Sequence, residues 1–519
     1  MTWRPEIDEL AERQSLAHRL GGEERVARHK TAGKLTVRER IDALVDADSF
    51  REIGSVAGFA DYDDDGAMAD FTPANFVFGR ATLDGRPVIV AGDDFTVRGG
   101  AADAAIWKKQ TYSEAYAREL AMPVVRLVDG SGGGGSVKTY LDWGRTYVPP
   151  LPGWRDQMEL LGEVPVVAAA LGSVAGLGAA RVAASHFSVM VDGLSQVFVA
   201  GPPLVAYAAH EEVTKEELGG ARMQTANGVV DNLAESEEDA FFQLRRFLSY
   251  LPPSVWEAPP VRESSDRPHR REDQLLSFMP RDRREVYDGR VLIGLIVDRG
   301  SFFEIGRRWG RSIIVGLAEF DGHPVGVTAT DPGYLGGTLT ADASRKLRRF
   351  VDLCDTFHLP IVNFVDQPGF EIGPRSEAAA TLRHGVEMIA ALYQATVPYF
   401  SVIVRRVFGV AGAAMVDRNE RANMRVAWPS GDWGSLPLEG GVEAAFRRRL
   451  DAAEDRDALR EELLAEFEPV RSPYRTAEAF DIEEVIDPRD TRPLVCEWVH
   501  DAYRVLPQRL GPKARAFRP

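Results

Sequence analysis

The chain has 519 residues, 45% of them hydrophobic and 27% charged, with a formal net charge of -16 and a pI near 5.2. That length suggests roughly two to four domains, and the acidic balance excludes nucleic acid as the main partner, since phosphate binding wants a basic face. Two cysteines, Cys354 and Cys496, are too few for a disulfide framework or a zinc ribbon.

No run of about eighteen apolar residues suggests a membrane span. The N-terminal MTWRPEIDELAERQ has no apolar signal core. The expectation is a cytoplasmic protein without a membrane partner.

Residues 3–46 have helical spacing, interrupted at Gly33 and restarted with Thr36 as the cap. Residues 49–53 are a short strand candidate. Asp61 to Gly66, DYDDDG, superficially opens like a calcium loop, but its twelfth position is Thr72, not Glu, so a solvated acidic loop is expected. From Phe76 the text alternates strand and turn, with Asp84-Gly85 as a hairpin signal. A helical run to about Ala121 holds Lys108 and Lys109. The apolar VVRLVD then runs into GSGGGGS at 130–136, by composition a flexible linker, whose position directly after a strand favours a backbone-lined binding loop that includes Gly132, Gly133 and Gly134. It lacks the lysine of a nucleotide-triphosphate loop.

After an apolar run, VPVVAAA, comes LGSVAGLGAA at 171–180; after VPYFSVIV comes FGVAGAAM at 408–415. Both put Gly and Ala where a strand hands over to a helix. Such a turn lets a ligand approach the backbone, and helix-initial N–H groups can stabilise charge on a carbonyl oxygen. Either turn alone is common packing. Residues 257–274, polar and proline-bearing, are expected to link domains 1–260 and 275–519, with 261–274 as the linker proper.

The second half repeats the first. Gly79 and Gly316, Asp84 and Asp321, Gly99 and Gly336, Pro123 and Pro360, Asp129 and Asp366, and Gly172 and Gly409 all stand 237 residues apart. Lys108 and Lys109 match Arg345 and Lys346, all four expected on solvated helix faces. Two α/β domains of one fold are expected.

Several stretches carry a resemblance: GGEERVARHKTAGKLTVRERI at 21–41, EEVTKEELGGARMQT at 211–225, RRFVDLCDTFHLPIVNFVDQPGF at 348–370 and LRHGVEMIAALYQATVPYFSVIVRR at 382–406. They resemble the carboxyltransferase (β) subunits of biotin-dependent acyl-CoA carboxylases, such as those acting on propionyl-CoA or methylcrotonyl-CoA. The resemblance implies an α/β fold of tandem duplicated crotonase-like (ClpP/crotonase superfamily) domains. It implies an acyl-CoA on the N-terminal domain, carboxybiotin on the C-terminal domain, and a homo-hexamer. It also implies that biotin serves as base and carboxyl donor, with two backbone oxyanion holes.

Carried over without gaps, those holes fall on Gly176 and Leu177 and on Val410 and Ala411. The resemblance adds Gly132, Gly133, Gly134, Gly172, Gly178 and Ala413 for the substrate. It adds Gly369, Phe370, Gly409 and Gly412 for biotin. Leu177 and Val410 depart from glycine and are expected to narrow the approach and to resist positive φ. Ala413 stands where many propionyl- and acetyl-type enzymes have Asp, implying a more apolar acyl end. The loop at 130–136 lacks the arginine of many relatives.

No biotin-acceptor lysine motif occurs, so a separate biotin carboxylase or biotin carrier subunit is implied. Two other readings stay open: a biotin-independent acyl-CoA decarboxylase and a silent partner of a carboxylase. His186, His358 and His384 are isolated and expected to be core-satisfied or solvated. No cluster has metal-ligand spacing, and none is expected to bind a metal. The basic tail KARAFRP is expected to be interfacial or frayed.

Overall fold

The computed structural model describes residues 2–519 except 102–105, 131–136, 138–139, 142–143, 149, 418–422 and 516. It divides into two compact units: residues 1–257 with 511–519, and residues 258–510.

In the first unit, strands β1 (Arg51–Glu52), β4 (Phe76–Leu83), β5 (Arg86–Asp93), β6 (Val124–Val128), β7 (Val166–Ala170), β9 (Phe187–Val191) and β11 (Asn232–Ala234) form one sheet in that order. The pair β4–β5 is antiparallel, closed by Asp84 and Gly85, both at positive φ. From β5 onward the neighbours are parallel. Strands β6, β7 and β9 are buried along their whole length, as a sheet covered on both faces requires. Two short strands, β8 (Ser173–Ala175) and β10 (Gln196–Phe198), pair beside this sheet. The acidic DYDDDG stretch closes a separate ribbon of β2 (Gly58–Tyr62) and β3 (Met68–Pro73), where Asp63 Oδ1 accepts the N–H groups of Asp65 and Ala67.

The second unit repeats this order with β12 (Phe303–Ile305), β13 (Ile313–Phe320), β14 (His323–Thr330), β15 (Ile361–Gln367), β16 (Tyr399–Phe408), β17 (Met424–Ala427) and β19 (Glu484–Val485). Strand β18 (Asp432–Gly434) pairs with the end of β16, at Arg406 to Phe408. Strand β16 is therefore the continuous counterpart of β7 plus β8. Its core is built on Phe320, Phe364, Val402 and the fully buried Trp428.

Residues 261–274 are not a free linker. Arg262 N–H donates to Gly322 O, and the Arg270 guanidinium bonds the Asp266 carboxylate and the carbonyls of Leu295 and Val297. Those bonds pin the segment to the second unit. Nor is the tail frayed at Phe517, which is buried against the His186 ring.

Candidate active site

The two Gly/Ala turns have the same build. In the first unit β8 ends at Ala175, Gly176 takes φ 57° and ψ -121°, and a helix runs Leu177–Ala183. In the second, β16 ends at Phe408, Gly409 takes φ 60°, and a helix runs Gly409–Val416. Strand pairing fixes the equivalence: Ala175 pairs with Phe198 as Phe408 pairs with Gly434. Gly176 is thus the counterpart of Gly409, Leu177 of Val410 and Gly178 of Ala411.

This corrects the equivalence of Gly172 with Gly409. Gly176 lies 47 residues after Asp129, whereas Gly409 lies 43 after Asp366, so a constant offset slips by four within that stretch. Gly172 has another reason to be glycine: a Cβ there would lie 2.0 Å from Asp129 Oδ1 and 2.2 Å from Lys34 Nζ. Gly412 likewise packs on β16, where a Cβ would come 2.8 Å from the Val407 carbonyl carbon.

At the two hinge glycines the surroundings are open. Among the described residues, a Cβ built on Gly176 meets nothing within 4 Å, and one on Gly409 meets only Ser435 O at 3.5 Å. Glycine is needed there for its φ, which L side chains resist. The expected strain at Leu177 and Val410 does not arise, because neither has a positive φ. Helix geometry leaves the first N–H groups of each helix without intrahelical partners. Val410 is 66% exposed, and Ala413, one turn on, is exposed on the same face.

The Leu177 turn borders a cleft that includes Gly178, Asp93, Arg181, Gly100 and Gly130. Arg181 is buried, donates to Asp93 Oδ1 at 3.1 Å and lies over the Phe76 ring. Behind it, buried Asp129 accepts from Arg40 at 2.9 Å and Lys34 at 3.3 Å. Its counterpart Asp366 accepts from Arg405 and Arg406 at 2.8 and 2.6 Å. Burial alone would raise the Asp366 carboxyl; the hydrogen bond and charge of Arg406, with Arg405, outweigh it and hold it below the usual carboxylate range.

A basic pocket borders the Gly99 loop. Arg25, Arg28, His29, Lys34 and Arg98 line it, with Phe95 as an apolar wall. Lys34 Nζ sits 5.1 Å over the Phe95 ring. Burial lowers the Lys34 ammonium below its usual value, against the pull of Asp129, and lowers His29 as well. In the sequence, GGEERVARHKTAGK stands out as a family stretch and not as the lining of a basic pocket. The signal was there, in cations recurring along a short helix of an acidic chain.

Among the other expected site residues, Gly369 takes φ 130° and donates its N–H to Gln367 Oε1. Phe370 packs over Gly385, where a Cβ would lie 2.6 Å from the ring. Gly132, Gly133 and Gly134 lie outside the described residues. Lys109 and Lys346 are not on solvated faces: Lys109 is buried against Glu52, and Lys346 is buried with Nζ donating to Ile313 O, while Lys108 and Arg345 are exposed. His186 is satisfied in the core, accepting from Val166 N–H at Nδ1 and donating from Nε2 to Leu161 O.

Residues 28–504 match the family model described as the carboxyl transferase domain. The propionyl-CoA carboxylase carboxyltransferase subunit of Haloferax mediterranei is 35% identical over 496 residues, covering 95% of each chain. The methylmalonyl-CoA decarboxylase subunit alpha of Veillonella parvula is 32% identical over 499 residues, again 95% of each. A transcarboxylase 12S crystal structure, described as a hexamer assembly with methylmalonyl-coenzyme A and methylmalonic acid bound, superposes with a TM-score of 0.87 at 29% identity, covering 100% of this chain and 99% of that one. The paired units have the tandem crotonase-like α/β architecture of such carboxyltransferases. The duplicated turns and these matches along nearly the whole length lead to one conclusion: the chain belongs to the carboxyl transferase domain family and is a carboxyltransferase enzyme.

Proposed function

We propose that this chain is the carboxyltransferase component of a biotin-dependent acyl-CoA carboxylase, moving a carboxyl group from biotin on a partner protein to the α carbon of an acyl-CoA. The single observation that carries this reading is the duplicated hinge, Gly176 before Leu177 and Gly409 before Val410, each opening a helix beside unobstructed backbone.

In the first unit the resemblance implies Gly176 and Leu177, and the structural match to Val410 and Ala411 moves that pair by one residue, so the N–H groups of Leu177 and Gly178 would hold the thioester oxygen as it gains charge. The second-unit donor at the surface is the N–H of Val410, which would hold the ureido oxygen of biotin; Ala411, implied with it by the resemblance, is fully buried. The residues fit such a group, because the side chain of Val410 is turned to the surface and the open flank of Gly409 leaves room for a flat ring. Biotin, when bound, supplies the carboxyl group and the base for the α-proton, so no side chain of this chain is asked to act as one. The basic pocket of Arg25, Arg28, Lys34 and Arg98 takes the phosphates of coenzyme A, with Phe95 beside them. Exposed Ala413 offers no carboxylate to the acyl end, which favours an apolar chain.

A biotin-carrying partner, a hexamer of this chain and a reducing, cytoplasmic setting complete the proposal. The relatives' names and the two free, buried cysteines support it. Among the described residues, no helix is long and apolar enough to cross a membrane.

The test is loss of the carboxyl group from methylmalonyl-CoA and malonyl-CoA by the purified chain, with and without free biotin. Loss that requires biotin is the expected result. Loss at the same rate without biotin would instead make the chain a biotin-independent decarboxylase.

A further inference from the structure

The β13–β14 hairpin of the second unit brings two side chains of its own turn together with a third that is 177 positions further along the chain. Asp321 and Gly322 form its turn, His323 opens β14, and His500 lies on the helix Thr491–Val505. One ligand atom from each of Asp321, His323 and His500 lies within 4.8 Å of the others. Nε2 of His500 is 2.9 Å from Asp321 Oδ2, and the two imidazole centroids are 4.7 Å apart. Nδ1 of His323 is 2.8 Å from the Asp321 carbonyl oxygen. That oxygen only accepts, so Nδ1 carries the proton and Nε2 keeps its lone pair.

The setting is rigid. Asp298 accepts the N–H groups of Asp321 and Gly322 at 3.0 and 2.8 Å and is itself paired with Arg492 at 2.7 Å. The His323 ring stands edge-on against Tyr503, whose hydroxyl donates to Pro324 O.

The first unit builds the same turn without imidazoles. Asp46 accepts the N–H groups of Asp84 and Gly85, as Asp298 does for theirs. The place of His323 is taken by Arg86, which donates to Leu248 O, and the Asp84 carboxylate pairs with Arg245. A guanidinium neutralises that turn and offers no lone pair. In the second unit two imidazoles stand in place of the arginines.

We propose that Asp321, His323 and His500 bind a divalent transition cation of the Zn2+ or Co2+ class. Two neutral imidazoles and one carboxylate form a donor set suited to these ions, with water completing a tetrahedron. The ion displaces the proton between His500 Nε2 and Asp321. The Nδ1–H of His323 on a backbone carbonyl is the support that a ligating imidazole uses. Ligand atoms in such a tetrahedron stand about 3.3 Å apart, a closure that the half-exposed His500 side chain can make while leaving solvent access. The bound ion would tie the hairpin to the helix.

The test uses the full chain, stripped with a chelator. Co2+ is followed by its visible absorption and Zn2+ by calorimetry. One saturable ion per chain, with a rise in Tm, is the expected result. His500→Ala and His323→Ala should each weaken binding at least about tenfold and remove the Co2+ band, while circular dichroism and the chelator-treated Tm stay near wild type. His500 is half exposed, so His500→Ala keeps the fold and carries the test by itself. His210→Ala, at an exposed histidine elsewhere, should change nothing. No saturable binding by the wild-type chain, or binding that survives both substitutions, would overturn the proposal.

Discussion

Gly176 and Gly409 hold the same backbone position in two halves of one chain: each follows the last residue of a strand, takes a φ near +60°, and stands at the start of a helix. The flank of each is open, so space does not explain the glycine; backbone conformation does. Gly176→Ala and Gly409→Ala should each cost about 1–2 kcal/mol of stability. Each should also lower carboxyl transfer by roughly 100-fold as the donors shift. Chemical denaturation beside a transfer assay separates the two effects, and a variant with the stability loss but wild-type turnover would count against the hinge.

The basic pocket should act on coenzyme A binding rather than on chemistry. Arg25 and Arg98 are exposed on its rim. Reversing either charge, Arg25→Glu or Arg98→Glu, should raise KM for the acyl-CoA about tenfold with kcat nearly unchanged. The difference from wild type should shrink as salt screens the phosphates. Initial rates at two ionic strengths check this; a fall in kcat alone would not fit.

Arg40 should matter for stability. It is buried, bonding Asp129, Glu237 and the Leu171 carbonyl at 2.8–2.9 Å. Arg40→Leu leaves two buried carboxylates without their guanidinium, a change that costs about 3–5 kcal/mol. Among the described residues, the Asp129 carboxylate then keeps only Lys34 at 3.3 Å. Urea unfolding of Arg40→Leu measures the loss, and a change below about 1 kcal/mol would contradict it.

Asp46 should give the first unit an acid-sensitive turn. Burial alone would raise its carboxyl, but N–H groups of Gly85 and Asp84, the Thr82 hydroxyl and Arg245 outweigh that and hold it at about 2. A depressed carboxylate pKa favours the folded state above the unfolded value, near 4, and that contribution is lost as pH falls towards 2. Asp46→Asn should therefore be less stable than wild type at pH 7 by about 2 kcal/mol, and the gap should close between pH 4 and pH 2. A gap that is the same at both ends would place the stabilisation elsewhere.

The duplication was legible because turn chemistry is local. Asp84-Gly85 and Asp321-Gly322 announce hairpins by residue type alone, and both form them. The offset held as far as Asp366 and then slipped, because the stretch after Asp129 is four residues longer and an ungapped comparison cannot register that. Gly172 looked like Gly409 for this reason, although its smallness serves the Asp129–Lys34 pair. Lys109 and Lys346 were misread because a lysine on a charged helix shows nothing of the Glu52 carboxylate or Ile313 carbonyl that another element brings to it. The segment at 261–274 was polar enough for a linker, but its arginines and aspartates bond each other and the second unit. The three residues of the hairpin cluster were invisible as a group, since His500 lies 177 positions beyond His323.

Carboxyl transfer through two backbone donor turns is tested most directly by removing N–H groups without removing side-chain function. Proline is accepted in the first turn of a helix, where Leu177 and Val410 stand, and lacks that donor. Carboxyl loss from methylmalonyl-CoA in the presence of free biotin should therefore be compared for Leu177→Pro, Val410→Pro, Leu177→Ala and Val410→Ala. Both proline variants should fall by at least about 100-fold, while both alanine variants stay within about threefold of wild type. Proline variants that turn over like their alanine partners would contradict the account.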